Sequence, residues 1–208
     1  MALFGGDAHR PPARWIRPVN QGRRRTTDGS QLRRRRHVSR GSRHPLYGSR
    51  VADLDPLDQD EAATSNLGFA AEAAAKIDAV VLVEPVSGTP AYPVKAAADA
   101  IVVIDRVHAQ CGVSNVRLLA DLYHLHCNGD YVPDVIGSHA TRIGHVQIAD
   151  SPGRGEPGTG TLELGSFLEQ LAGQGYRGYV GLEHKPTRSD TFDWMDPALR
   201  ASRTTIAR

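Results

Sequence analysis

Four short apolar runs, at residues 79–84, 115–121, 143–148 and 178–183, alternate with segments of helical character. The first run, Ala-Val-Val-Leu-Val-Glu, is apolar and β-branched without a break. That is the composition of a parallel strand buried on both faces. Helical spacing extends from about Pro56 to Ile77, where Leu57, Leu67, Ala70, Ala71 and Ala74 recur along one side. Asp58, Asp60 and Glu61 sit toward its N-terminus, where the helix dipole favours acids. Further helices are expected at about 94–107, within 130–141, at 164–174 and at 191–206. A segment at 44–50, with a strand remnant near Leu46–Gly48, is expected to end a strand and open a loop. Strand, loop, helix therefore repeats four times. Such alternation predicts an α/β fold with a parallel sheet and right-handed crossovers.

Each run closes on an oxygen-bearing side chain: Glu84, Asp121, Gln147 and Glu183. In parallel sheets and (β/α)₈ barrels, chemistry collects at the C-terminal strand ends. A single carboxylate there could be a cap, and two could be chance. Three carboxylates and an amide are costly to cluster without a cation. Oxygen ligands of this kind suit Mg²⁺ or Mn²⁺. Cys127 and His126 do not form zinc spacing with a second pair. In the third run, His145 and Gln147 stand two apart, so strand alternation gives them one face. The run then breaks at Pro152, Gly153, Gly155, Pro157, Gly158 and Gly160, a density no strand or helix interior would carry. That loop holds Arg154 and Glu156, as the rim of an α/β active site would.

The charge is unevenly spread. Residues 1–50 hold 13 Arg and only Asp7 and Asp28 as acids, about +11, and the remainder of the chain carries about −9. Arg23–Arg25 and Arg33–Arg36 are self-repelling runs with few large apolar residues nearby. Residues 1–43 are therefore expected to be a disordered Arg-rich segment, and residues 44–208 the folded domain. Nucleic acid is not the expected partner, because no aromatic residues interleave the Arg runs and no binding fold accompanies them. No apolar run is long enough to span a bilayer. Cys111 and Cys127 make no disulfide framework and fit a reducing cytoplasm.

Five motifs carry a family resemblance. They are Leu-Val-Glu-Pro (82–85), Asp-Leu-Tyr-His (121–124), Gly-His-Val-Gln-Ile-Ala-Asp (144–150), Pro-Gly-Arg-Gly-Glu-Pro-Gly-Thr-Gly (152–160) and Gly-Leu-Glu-His-Lys-Pro (181–186). From about His44 onward the chain resembles the hydroxypyruvate isomerase family of the xylose isomerase-like TIM-barrel superfamily. It departs in having His184 where the family usually has Tyr, and Thr161 where it usually has Glu.

The resemblance implies that Glu84, Asp121, Gln147 and Glu183 bind one divalent cation, with Glu84 and Glu183 also the acid/base pair. It implies conversion of hydroxypyruvate to tartronate semialdehyde through an enediolate. Arg154 and His124 would meet the carboxylate and hydroxyl of the small hydroxy-keto acid or sugar substrate. His145 is read as a supporting hydrogen-bonding residue. Asp150 and Glu156 are expected to shape the loop, and Lys185 either meets substrate or is solvated. A complete barrel needs roughly 250 residues and eight strands, so about four β/α units make a partial (β/α)₈ barrel, its C-terminal half. Residues 1–43 resemble coding sequence read out of frame, or an alternative start. A partial barrel exposes sheet edges and an apolar face, which invites a second copy. Two further readings stand beside the isomerase: a related sugar epimerase or 2-oxo-tetronate isomerase, and a catalytically inactive fragment.

Overall fold

The computed structural model of the chain describes residues 41–195, Pro197 and Arg200. The Arg-rich segment expected to be disordered lies outside the described residues, except for its last three positions. The elements run β1 (Ser42–Arg43), α1 (Pro56–Ala75), β2 (Val80–Val83), α2 (Ala97–Cys111), β3 (Val116–Asp121), α3 (Leu122–Cys127), α4 (Val132–His139), β4 (Ile143–Ile148), α5 (Leu164–Gly173) and β5 (Val180–Leu182). The five strands form one wholly parallel sheet in sequential order β1-β2-β3-β4-β5, with helices packed against it. This is the curled half of a barrel.

Several boundaries move for local reasons. Among the described residues the first strand is Ser42–Arg43, paired with Val80 and Val81, and Leu46–Gly48 forms no strand. α1 starts where expected because the Asp55 carboxylate accepts the Leu57 amide at 2.7 Å and Pro56 opens the helix. α2 starts later than expected, at Ala97, because Asp99 accepts the amides of Lys95 and Ala96, both at 2.9 Å. It runs on to Cys111, and Gly112 at φ +67° terminates it in the left-handed conformation glycine favours. Residues 191–195 are turns rather than the start of a helix, and most of the segment expected to be helical beyond them lies outside the described residues.

The strand alternation sorts side chains onto two faces. Val81, Val83, Val116, Leu118, Ala120, Val146 and Ile148 join Leu67, Ile104, Val107 and Leu171 in the core between sheet and helices. The alternate positions, including Leu82, Leu119 and His145, face the other way, into the barrel interior. In β4 the pairing skips Gly144: Leu118 pairs with Ile143 and Leu119 with His145. A Cβ at Gly144 would stand 2.7 Å from Arg117 Cβ and 2.8 Å from Leu82 Cδ2, so this irregularity requires glycine. Beyond it, His145 and Gln147 share the interior face with Glu84 and Asp121. Among the described residues, no helix is long and apolar enough to cross a membrane.

Candidate active site

The parallel register brings the strand ends level. Asp121 pairs with Gln147, Gln147 with Gly181, and the Glu183 amide donates to Ile148 O at 3.1 Å. Glu84 follows Val83 directly and is only 5% exposed, while Asp121 is fully buried. Gln147 is half-buried, and Glu183 lies exposed on the rim.

Asp121 does two jobs with its two oxygens. Its Oδ1 accepts the amides of Tyr123 (2.9 Å) and His124 (3.2 Å), capping α3. Its Oδ2 faces the Arg154 guanidinium at 3.2 Å and His124 Nε2 at 3.7 Å. α3 itself was not expected from the sequence, although an Asp ahead of an apolar segment is an N-cap signal. This helix turns His124 back toward the strand ends. Glu84, Asp121 and His124, all buried, offer one ligand atom each within 4.8 Å of one another, a possible metal-binding group.

His124 has a defined tautomer. Its Nδ1 accepts the Ser87 backbone N–H at 3.1 Å and lies 2.6 Å from Ser87 Oγ. A ring nitrogen that accepts cannot carry the proton, so the neutral ring holds it on Nε2, facing Asp121. Burial and the nearby Arg154 charge push the His124 pKa down, consistent with that neutral form.

Arg154 is held by its loop. Its φ is +60°, between Gly153 at φ +95° and Gly155. Its Nη2 reaches Glu183 Oε2 at 3.1 Å, its Nε donates to Glu183 O at 3.1 Å, and its guanidinium lies 5.4 Å from the Tyr123 ring centroid. Behind it, Asp150 gathers the loop: Oδ1 accepts the amides of Ser151 (2.8 Å) and Leu162 (3.0 Å), and Oδ2 that of Gly158 (2.8 Å). Glu156 is fully buried and accepts from the Thr187 amide (2.9 Å), Thr187 Oγ1 (2.5 Å) and Thr191 Oγ1 (2.9 Å). The Thr187 hydroxyl leads these bonds in holding the Glu156 carboxyl down at about 2. Both acids shape the loop, as the sequence reading has it. Lys185 has an exposed side chain, while its amide donates to Arg154 O at 2.7 Å.

The electrostatics fit a cation. Burial raises the Asp121 carboxyl, and burial followed by a hydrogen bond with Asp121 raises that of Glu183, despite Arg154 beside both. Glu84 Oε1 and Gln147 Oε1 are buried with no hydrogen-bond partner. Bare oxygens of this kind on the strands flanking Asp121 are what a hard divalent ion would satisfy. His145 is half-buried on the same face, and burial lowers its pKa. A Cβ at Gly181 would stand 3.0 Å from its Nε2. One contact was not legible in the sequence: His44 Nε2 lies 3.0 Å from Glu84 Oε2.

Comparison with known proteins agrees with this architecture. The family profile described as a xylose isomerase-like TIM barrel matches residues 14–205. A Streptomyces coelicolor protein named provisionally as a hydroxypyruvate isomerase is 49% identical over 163 residues, 76% of this chain and 58% of that protein. The Escherichia coli hydroxypyruvate isomerase is 35% identical over 156 residues, 73% of this chain and 59% of that protein. A crystal structure of an AP endonuclease, family 2, from Brucella melitensis superimposes with a TM-score of 0.67 at 30% identity, covering 74% of this chain and 59% of that one. The chain thus spans under three-fifths of the length of these relatives.

Proposed function

The chain belongs to the xylose isomerase-like TIM-barrel family, and from that premise we propose that it is a divalent-metal-dependent isomerase converting hydroxypyruvate to tartronate semialdehyde. The observation that carries this reading is the pair of bare buried oxygens, Glu84 Oε1 and Gln147 Oε1, on strands flanking the buried Asp121. Glu84, Asp121, Gln147 and Glu183 would hold Mg²⁺ or Mn²⁺. When bound, such an ion polarises carbonyl and hydroxyl oxygens and stabilises developing negative charge.

The reaction moves one carbon-bound proton. A carboxylate removes it from C3 of hydroxypyruvate, leaving an enediolate; the resulting carboxylic acid returns a proton to C2, and the hydroxyl proton passes from the C3 oxygen to the C2 oxygen, giving the C3 aldehyde and the C2 hydroxyl. Glu84 and Glu183 are the proposed pair, since each stands at a strand end facing the interior. Arg154 is assigned to the substrate carboxylate, because a guanidinium matches that anion in two-pronged fashion. His124 is assigned as a donor to the substrate oxygen through its Nε2–H, and its Ser87 contact supports that role over ligation. Cys111 and Cys127 are both unbridged, which supports placement in the reducing cytoplasm.

The test is a hydroxypyruvate assay on the purified chain with and without Mn²⁺, beside Glu183→Gln. The expected result is Mn²⁺-dependent turnover that falls by about 10²–10⁴-fold in the variant. Turnover unchanged in Glu183→Gln refutes the acid/base assignment. Turnover of a ketose in place of hydroxypyruvate moves the assignment to an epimerase, and no turnover of either identifies the inactive fragment.

A further inference from the structure

Two of the four strand-end side chains are held by polar contacts: Asp121 by two backbone amides and Glu183 by Arg154. Gln147 lies within β4 with its Oε1 bare. Glu84 stands one residue past β2 on a flexible side chain. Among the described residues, its carboxylate has one partner, His44, with Nε2 at 3.0 Å from Oε2, while Oε1 is buried and bare. The backbone delivers this contact. Arg43 pairs with Val81 in the neighbouring strand, so the next residue emerges at the rim beside the end of β2.

We infer that His44 is a positioning residue, whose Nε2–H clamps Glu84 Oε2 and so aims Oε1 at the divalent ion. The inference rests on the metal site proposed above. The physical reason is orientation. A glutamate free to rotate presents either oxygen in many directions, and fixing one oxygen selects the other as ligand without loss of charge. Hydrogen bonds of this kind to metal ligands are worth about 10–100-fold in metal affinity.

The experiment measures Mn²⁺ binding to the full chain by the electron paramagnetic resonance signal of the free ion. His44→Ala is expected to weaken binding by about 10–100-fold, with an apo melting curve matching the parent's. His44→Gln, which restores an N–H donor, is expected to bind within about threefold of the parent. Parent-like binding by His44→Ala overturns the inference, as does a His44→Gln as weak as His44→Ala. A nitrogen hyperfine coupling to Mn²⁺ that vanishes in His44→Ala would make His44 a ligand, and also overturns it. A parent chain that binds no Mn²⁺ brings down the metal reading and this inference together. Binding that ignores His44 brings down this one alone.

Discussion

Removing the Asp150 carboxylate should loosen the Arg154 loop in proportion to the amides it leaves bare. Asp150 is 1% exposed and accepts three backbone N–H groups, from Ser151, Gly158 and Leu162. The three bonds are not equal. The bond to Ser151 is buried, while those to Gly158 and Leu162 are only partly so. Losing a buried partner costs about 1–3 kcal/mol, and a group that water can reach costs nearer 1. Asp150→Ala, which abandons all three, should therefore cost about 3–5 kcal/mol. Asp150→Asn can keep its carbonyl oxygen on Ser151 and Leu162 while its NH₂ group meets the Gly158 N–H, losing one bond. Its cost should be about 1–2 kcal/mol. Urea denaturation of the full chain gives the global loss, and amide hydrogen exchange at residues 151, 158 and 162 gives the local one. If Asn costs as much as Ala, the negative charge rather than acceptor count sets the loop's stability. A cost below about 1 kcal/mol for Ala would mean that these bonds do not hold the loop.

Acid should release the same loop from its other end. Glu156 has its carboxyl held at about 2, below its ordinary 4.5, so the stabilisation is present above 4.5 and drains as pH falls toward 2. Melting temperature followed over that window should show a fall that Glu156→Gln flattens; an unchanged slope in the variant argues against the assignment. In the core, Leu118→Ala removes a fully buried side chain from the middle strand and should cost about 2–5 kcal/mol by urea denaturation. A smaller loss would mean that the helices close over the cavity.

What the sequence disclosed, and what it concealed, divide by range of interaction. β2 and most of β3 were legible because burial on both faces writes a nearly continuous apolar signal into four to six adjacent residues. The placement of Glu84, Asp121 and Gln147 at neighbouring strand ends followed, because period-2 geometry and a shared strand direction leave little freedom. Even so, the Gly144 irregularity was needed to bring His145 and Gln147 onto the interior face, and a lone glycine in an apolar run does not announce it. α3 was missed because it is only six residues long, too short for the Leu122–Leu125 spacing to stand out as a helical period. Its real determinant is one carboxylate turned back onto two amides, where Asp121 is at once cap and site residue. That double use has a chemical consequence. Committing Oδ1 to the cap leaves only Oδ2 free to face Arg154 and the interior, so the helix start fixes the direction of the site's most buried charge. His44 was illegible for a stronger reason. Forty residues separate it from Glu84, and nothing local to either predicts the contact. It exists only because β1 pairs beside β2, so a two-residue strand decides which oxygen of Glu84 is left for chemistry.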